Sequence, residues 1–180
     1  MKVYPLFLAV VCTLSLASCD KDKIREKDFT YWGEYEHDDQ VRTDGMYVRL
    51  DEDSLVSDII ILYQNGLIYH SGCSREWLRT TLSEFCDMDD RRSQHQKWGA
   101  FIIEGMCFNY QSFQYRAGGQ LSDLHVWKYE GILESDSSFT ITKVTRHSGE
   151  VRDVNESYFF IPLENKPDSN CVLLEELGAP

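Results

Sequence analysis

Residues 58 to 64 read DIIILYQ, followed by Asn65-Gly66 and then LIYHS, and this passage constrains the fold more than any other. Ile59, Ile60 and Ile61 are β-branched, so they sit better on a pleated sheet than in a helical turn. A short continuous apolar run bounded by turn residues predicts a strand covered on both faces. Asn-Gly is the pair that a two-residue type I′ turn demands, because both central residues need positive φ. The expectation is a tight antiparallel hairpin, which commits the first half of the chain to β structure.

The same reading extends along the chain. Met46, Val48 and Leu50 alternate with Tyr47 and Arg49, as on a strand with one buried face. Trp98 to Glu104 leads through Gly105 into MCFNYQSFQY. There Met106, Phe108 and Tyr110 share one face while Phe113 and Tyr115 take the other, which predicts a bulge near Ser112. Ala117-Gly118-Gly119, Ser135 to Ser138 and His147-Ser148-Gly149 are turn signals that separate LHVWKYEGILE, FTITKVT and NESYFFIPLE. Short strands at this spacing predict a mainly β fold, an antiparallel meander forming a barrel or sandwich. The period changes once: Trp77, Leu78, Thr81, Leu82 and Phe85 recur at helical spacing behind Ser74 as N-cap. One amphipathic helix is expected over about 74–86, its apolar stripe packed on the sheet. The tail from Asn165 to Pro180 reads as a loop, with a short strand at Cys171 to Leu174.

The N-terminus has its own logic. Lys2 precedes an apolar stretch from Pro5 to Ala17, which ends in Leu16-Ala17-Ser18-Cys19. A charged start, a short apolar run and small residues before the cut make an export signal, and the run is shorter than the ~20 residues of a spanning helix. Leu16-Ala17-Ser18-Cys19 resembles the lipobox of bacterial lipoproteins, which implies cleavage after Ser18 and lipidation of Cys19. Each buried methylene contributes roughly 0.8 kcal/mol, so two or three acyl chains would hold the protein in the leaflet. The organisation is then a signal peptide at 1–18, a lipidated tether at 19–28 reading CDKDKIREKD, and one β-rich domain at 29–180. Acidic residues directly after such a cysteine resemble a retention signal for the inner membrane in enterobacteria and a surface-export signal in Bacteroides-like bacteria. The expected location is the outer membrane or cell surface, with the inner membrane as the alternative.

Charge and cysteines narrow the partners. With 18 basic and 30 acidic residues the chain carries −12, whereas phosphate binding needs clustered Lys and Arg, so nucleic acid is excluded as a partner. Beyond Cys12 and Cys19 there remain Cys73, Cys86, Cys107 and Cys171, an even set compatible with two disulfides in any of three connectivities. No spacing is C-x-x-C, which argues against a zinc ribbon and a thioredoxin-like site. A helix over 74–86 would hold Cys73 and Cys86 roughly 18 Å apart, so bridges would join one of them to Cys107 or Cys171.

No catalytic motif is present. Glu34, Glu36, His37, Asp38 and Asp39 read as a solvated loop rather than a metal site, and neither metal nor cofactor is expected. His70 near Cys73 has no evident orienting group and reads as structural. Glu130 with Glu134 is a carboxylate pair of the kind that arises by chance in so acidic a chain. Tyr110, Phe113, Tyr115, Trp127 and Tyr129 cluster on neighbouring predicted strands, and aromatic faces with polar tips suit a sugar or lipid pocket as well as an ordinary core.

Five fragments, in order, resemble a group of small lipoproteins of Bacteroides-like bacteria: Tyr31-Trp32-Gly33-Glu34-Tyr35, Val41-Arg42-Thr43-Asp44-Gly45-Met46-Tyr47, Leu62-Tyr63-Gln64-Asn65-Gly66, Trp98-Gly99-Ala100-Phe101-Ile102-Ile103-Glu104-Gly105 and Lys166-Pro167-Asp168-Ser169-Asn170. The resemblance implies an all-β, lipocalin-like envelope protein and brings no catalytic residues. Two function classes follow: a non-enzymatic binding or interaction module for an envelope protein or glycan, and a lipocalin-like carrier of a small apolar ligand. A continuous apolar cavity would favour the carrier, and a filled core would count against it.

Overall fold

The computed structural model describes residues 30–31, 40–72, 97–115, 124–166 and 168–169. Within them run eight strands: β1 (Gly45–Leu50), β2 (Val56–Leu62), β3 (Leu67–Gly72), β4 (Trp98–Glu104), β5 (Cys107–Tyr115), β6 (Leu124–Ser135), β7 (Ser138–Thr145) and β8 (Val151–Pro162). Each pairs antiparallel with the next, and β8 pairs with β1, so the meander closes into a barrel. Closure leaves no strand edge exposed. The expected amphipathic helix at 74–86 and the short strand at 171–174 lie outside the described residues.

Alternation sorts the side chains into two clusters. Tyr47, Ile60, Leu62, Ile68, Phe101, Phe108, Leu133, Phe139, Ile141 and Tyr158 belong to one cluster that draws on all eight strands, so it fills the barrel interior. Phe139 lies at the centre of its ring contacts, 4.2 Å from Phe108, 4.9 Å from Tyr47 and 5.1 Å from Tyr158 between centroids. The other cluster, with Val48, Ile59, Ile61, Tyr69, Trp98 and Phe113, draws on β1 to β5 and lies on the outer face. These strands are therefore buried on both sides, as the DIIIL run predicted. The outer face of β6 to β8 differs: it carries the Glu130–Lys143 ion pair and leaves Ile132 and Phe159 half exposed.

Two local expectations are corrected. The β2–β3 hairpin is not a two-residue type I′ turn. Gly66 N–H donates to Tyr63 O and Tyr63 N–H to Leu67 O, Gly66 has φ +79°, and Asn65 has no positive φ. This is a type I turn over Gln64-Asn65 followed by a left-handed glycine, the three-residue hairpin loop. The same hydrogen bonds recur at Asp51–Leu55, with Ser54 at φ 59°, and at Arg146–Glu150, with Gly149 at φ +83°. The bulge expected near Ser112 is also absent, since β5 keeps unbroken register with β6 from Cys107↔Ile132 to Tyr115↔Leu124. Phe113 points outward into the second cluster, so apolar residues of both parities signalled two buried faces rather than a slip. The irregularities lie at Arg49/Leu50, Glu130/Gly131, Leu133/Ser135 and Ile141/Lys143.

The two ends of the barrel are unlike. At one end, with the Tyr63–Leu67 loop and the tight Asp136-Ser137 turn, the segment before β1 lies across the opening. Val41 joins the interior cluster there. Tyr47 OH donates to Asp136 O at 2.7 Å and accepts from Arg42 N–H, so strand, entry segment and turn are tied at one hydroxyl. The Lys166 ammonium donates to Thr43 O and Leu62 O and lies 4.1 Å over the Tyr63 ring. Burial pushes it down to about 8, with the Asp44 charge pulling the other way. This end is sealed. The opposite end carries the loops Asp51–Leu55 and Arg146–Glu150 and the connections 73–96 and 116–123, which lie outside the described residues.

Candidate functional site

The interior changes character toward that second end. Asp58 sits at the start of β2 and His70 near the end of β3, and the register pairs Ile60 with His70 and Asp58 with Gly72. Asp58 and His70 are thus diagonal neighbours on the inward face. Asp58 Oδ2 lies 2.9 Å from His70 Nε2 and accepts the Tyr158 hydroxyl at 2.8 Å, while Asp58 Oδ1 accepts the Ile59 N–H. Arg49 Nη2 approaches the same carboxylate at 3.8 Å. Burial alone would raise the Asp58 carboxyl, but attraction to His70, hydrogen bonds from His70 and Tyr158, and the Arg49 guanidinium together hold it below the usual carboxylate range. An ionised carboxylate only accepts hydrogen bonds, so His70 Nε2 carries the proton between them.

Around this pair is an aromatic frame. Tyr110 and Tyr129 stack at 4.2 Å with ring planes 3° apart, and His70 stands edge-on to both at 5.6 Å. Burial raises the hydroxyls of Tyr110, Tyr129 and Tyr158 above the usual tyrosine range, so they remain donors at physiological pH. Asp58, His70, Tyr110, Tyr129 and Tyr158 form a polar layer over the apolar half of the barrel.

Above the layer the side chains meet water. Arg49 Nη1 pairs with Glu156 at 3.0 Å, with about 30% of each side chain accessible. Trp127 is partly exposed and packs against the interior cluster; the Arg146 guanidinium lies 5.1 Å from its ring centroid and binds Glu150 at 2.8 Å. Arg49 Nε and Arg146 Nε are buried without a hydrogen-bond partner among the described residues. This end of the barrel therefore carries a partly exposed tryptophan under the Arg146 guanidinium and two ion pairs that reach water.

The residues singled out in the sequence separate accordingly. Tyr110, Trp127 and Tyr129 come together at the mouth and floor, Phe113 is outside the barrel, and the side chain of Tyr115 lies outside the description. Cys107 is a free, exposed thiol at the start of β5; Cys19, Cys73, Cys86 and Cys171 lie outside the described residues. Glu130 and Glu134 are on the outer face, engaged by Lys143 and Thr140. Sequence reasoning missed Arg49, Asp58, Glu156 and Tyr158. Glu156 and Tyr158 alternate with the inward Phe160 in NESYFFIPLE, a signal that was available. Asp58 and His70 could be joined only by knowing the hairpin register.

Among the described residues no group of three His, Cys, Asp or Glu is placed to hold a metal ion, and no helix among them is long and apolar enough to cross a membrane. Comparison with family models, curated proteins and solved structures found no match for the chain.

Proposed function

We propose that the chain is a lipid-anchored envelope lipoprotein, cleaved before Cys19, whose barrel acts as a non-enzymatic binding module with its ligand received at the mouth. The supporting observation is the asymmetry of the barrel: at one end Val41, Tyr47 and Lys166 tie the flanking segments to the strands, and the other places a partly exposed Trp127 over a buried polar layer. Sites that orient small molecules combine an aromatic surface with a few fixed polar groups. Asp58 is engaged on both oxygens by His70, Tyr158 and its neighbour's N–H, an arrangement that holds a surface rigid rather than one that attacks a bond.

The outer face of β6 and β7 carries Glu130, Glu134 and Lys143, groups that are costly against lipid. In this proposal the membrane attachment is the lipid at Cys19. An eight-stranded closed meander also suits a lipocalin-like carrier of a small apolar ligand. Such a ligand would need the apolar half of the interior, which Tyr47, Phe101, Phe108 and Phe139 occupy.

Cys19→Ser tests the anchor. The expected result is loss of the protein from the membrane fraction, or accumulation of the unprocessed form. Unchanged partitioning together with unchanged mature mass would overturn it.

A further inference from the structure

Midway along β5 the outer wall of the barrel carries a polar side chain that is fully buried. Gln111 shares the outward face with Phe113, yet it is 0% exposed beneath Thr30 and Tyr31. Its Oε1 accepts the Thr30 N–H at 2.8 Å and the Tyr31 N–H at 3.0 Å, and its Nε2 donates to Thr30 Oγ1 at 3.1 Å. The Tyr31 ring packs against the outer cluster, where burial and the Glu130 and Glu104 charges raise its hydroxyl. One side chain thus grips two successive residues of the chain that enters the domain.

This grip opens differently from the barrel. Every strand of the closed sheet is bonded on both sides, so none can leave alone. When Thr30 and Tyr31 lift, the Gln111 amide and the two N–H groups exchange their hydrogen bonds for bonds to water, and such an exchange costs little per bond. A segment with few buried apolar contacts opens locally while the rest stays folded. Further along, the chain is fixed again: Val41 joins the interior cluster and Arg42 N–H donates to Asp136 O.

Resting on the reading of Cys19 as the lipid anchor, we propose that Gln111 is a clasp for the chain's own Thr30-Tyr31, and that its opening sets how far the barrel stands from the membrane. With the clasp shut, the chain between lipid and barrel is residues 20–29; with it open, that chain is residues 20–39. At about 3.3 to 3.6 Å per extended residue, the reach grows from roughly 35 Å to roughly 70 Å.

Amide hydrogen exchange on the full protein in detergent tests the clasp. The Thr30 and Tyr31 amides should exchange at least tenfold more slowly than free chain and at least tenfold faster than the amides of the β5–β6 ladder. In Gln111→Leu, which removes the amide and keeps an apolar wall, their protection should vanish while the ladder stays protected. Tyr31→Ala, which leaves the barrel wall untouched, should speed exchange at Thr30 several-fold. Wild-type exchange at the ladder rate or at the free-chain rate would overturn the clasp, as would rates that neither variant moves. The stand-off is read by energy transfer from a fluorophore on the exposed Cys107 thiol to labelled lipid, with the protein in vesicles of phosphatidylethanolamine and phosphatidylglycerol. Transfer should fall in Gln111→Leu. Unchanged transfer together with lost amide protection would overturn the stand-off and leave the clasp. A protein that does not enter the vesicles would overturn the lipid anchor and the stand-off with it, while the exchange rates still decide the clasp.

Discussion

Asp58→Ala is expected to lower the stability of the domain by about 1–3 kcal/mol, the range for leaving buried hydrogen-bonding groups without their partner. Asp58 is 6% exposed and ties together three strands: its own β2, β3 through His70 and β8 through Tyr158. Alanine would remove the carboxylate oxygen that accepts from both the His70 ring and the Tyr158 hydroxyl. Domains are stable by only about 5–15 kcal/mol in total, so the loss would be plain in urea unfolding at neutral pH. A change below about 1 kcal/mol would show that the layer contributes little. The pH dependence has a definite sign. The folded protein holds the Asp58 carboxyl below its unfolded value, so the unfolded chain takes up the proton first as pH falls. The contribution of Asp58 is complete above about pH 4 and is lost as pH drops through the lowered folded value. The stability gap between the wild type and Asp58→Asn should narrow as pH falls below about 4.

Gly99→Val is the second large effect. A Cβ at Gly99 would stand 1.8 Å from the Gln111 carbonyl oxygen and 2.9 Å from Ser112 Cα, both backbone atoms of the neighbouring β5. Neither can turn aside as a side chain would, so β4 and β5 must separate. The strain would reach the polar layer, because Ser112 is inward-facing and lies two residues from Tyr110 on the same strand. Overpacking a core costs about 1–3 kcal/mol where side chains can adjust; here the backbone must move, and a loss above about 3 kcal/mol is expected. Gly72→Ala is the control, since a Cβ there meets nothing within 4 Å. Its stability should change by less than about 0.5 kcal/mol in the same urea titration. Equal behaviour of the two variants would contradict the close approach of β4 and β5.

Strand identity was largely legible in the sequence, and side-chain facing was not. The apolar run at Ile59 to Leu62 announced a strand buried on both sides, and the Gly and Ser clusters between later runs announced the meander that closes as β4 to β8. Facing depends on register, and register depends on loop geometry. A two-residue loop at Asn65-Gly66 would have paired Tyr63's neighbour Gln64 with Leu67 and so placed His70 opposite Ile61. The observed loop pairs His70 with Ile60. That single-residue difference reverses one face of a hairpin strand relative to the other, and it decides whether Asp58 and His70 meet. At Phe113 the opposite ambiguity arose. Apolar residues of both parities looked like a bulge because an outer cluster, invisible to local pattern, buries the second face. The mouth was half legible: Tyr110, Trp127 and Tyr129 stood out as aromatics, whereas Arg49 and Glu156 looked like any other members of a charged surface.

The most direct test of this account is the state of the His70 ring. Nitrogen-labelled histidine NMR at neutral pH should show a slowly exchanging Nε2–H for one histidine, assigned to His70 by its disappearance in His70→Gln. Asp58→Asn should shift that signal strongly or abolish it. This is the result required if the three-residue hairpin loop turns Asp58 and His70 into the barrel at 2.9 Å. A His70 signal that exchanges rapidly with water and is indifferent to Asp58→Asn would contradict it, and with it the polar layer on which the binding site is built.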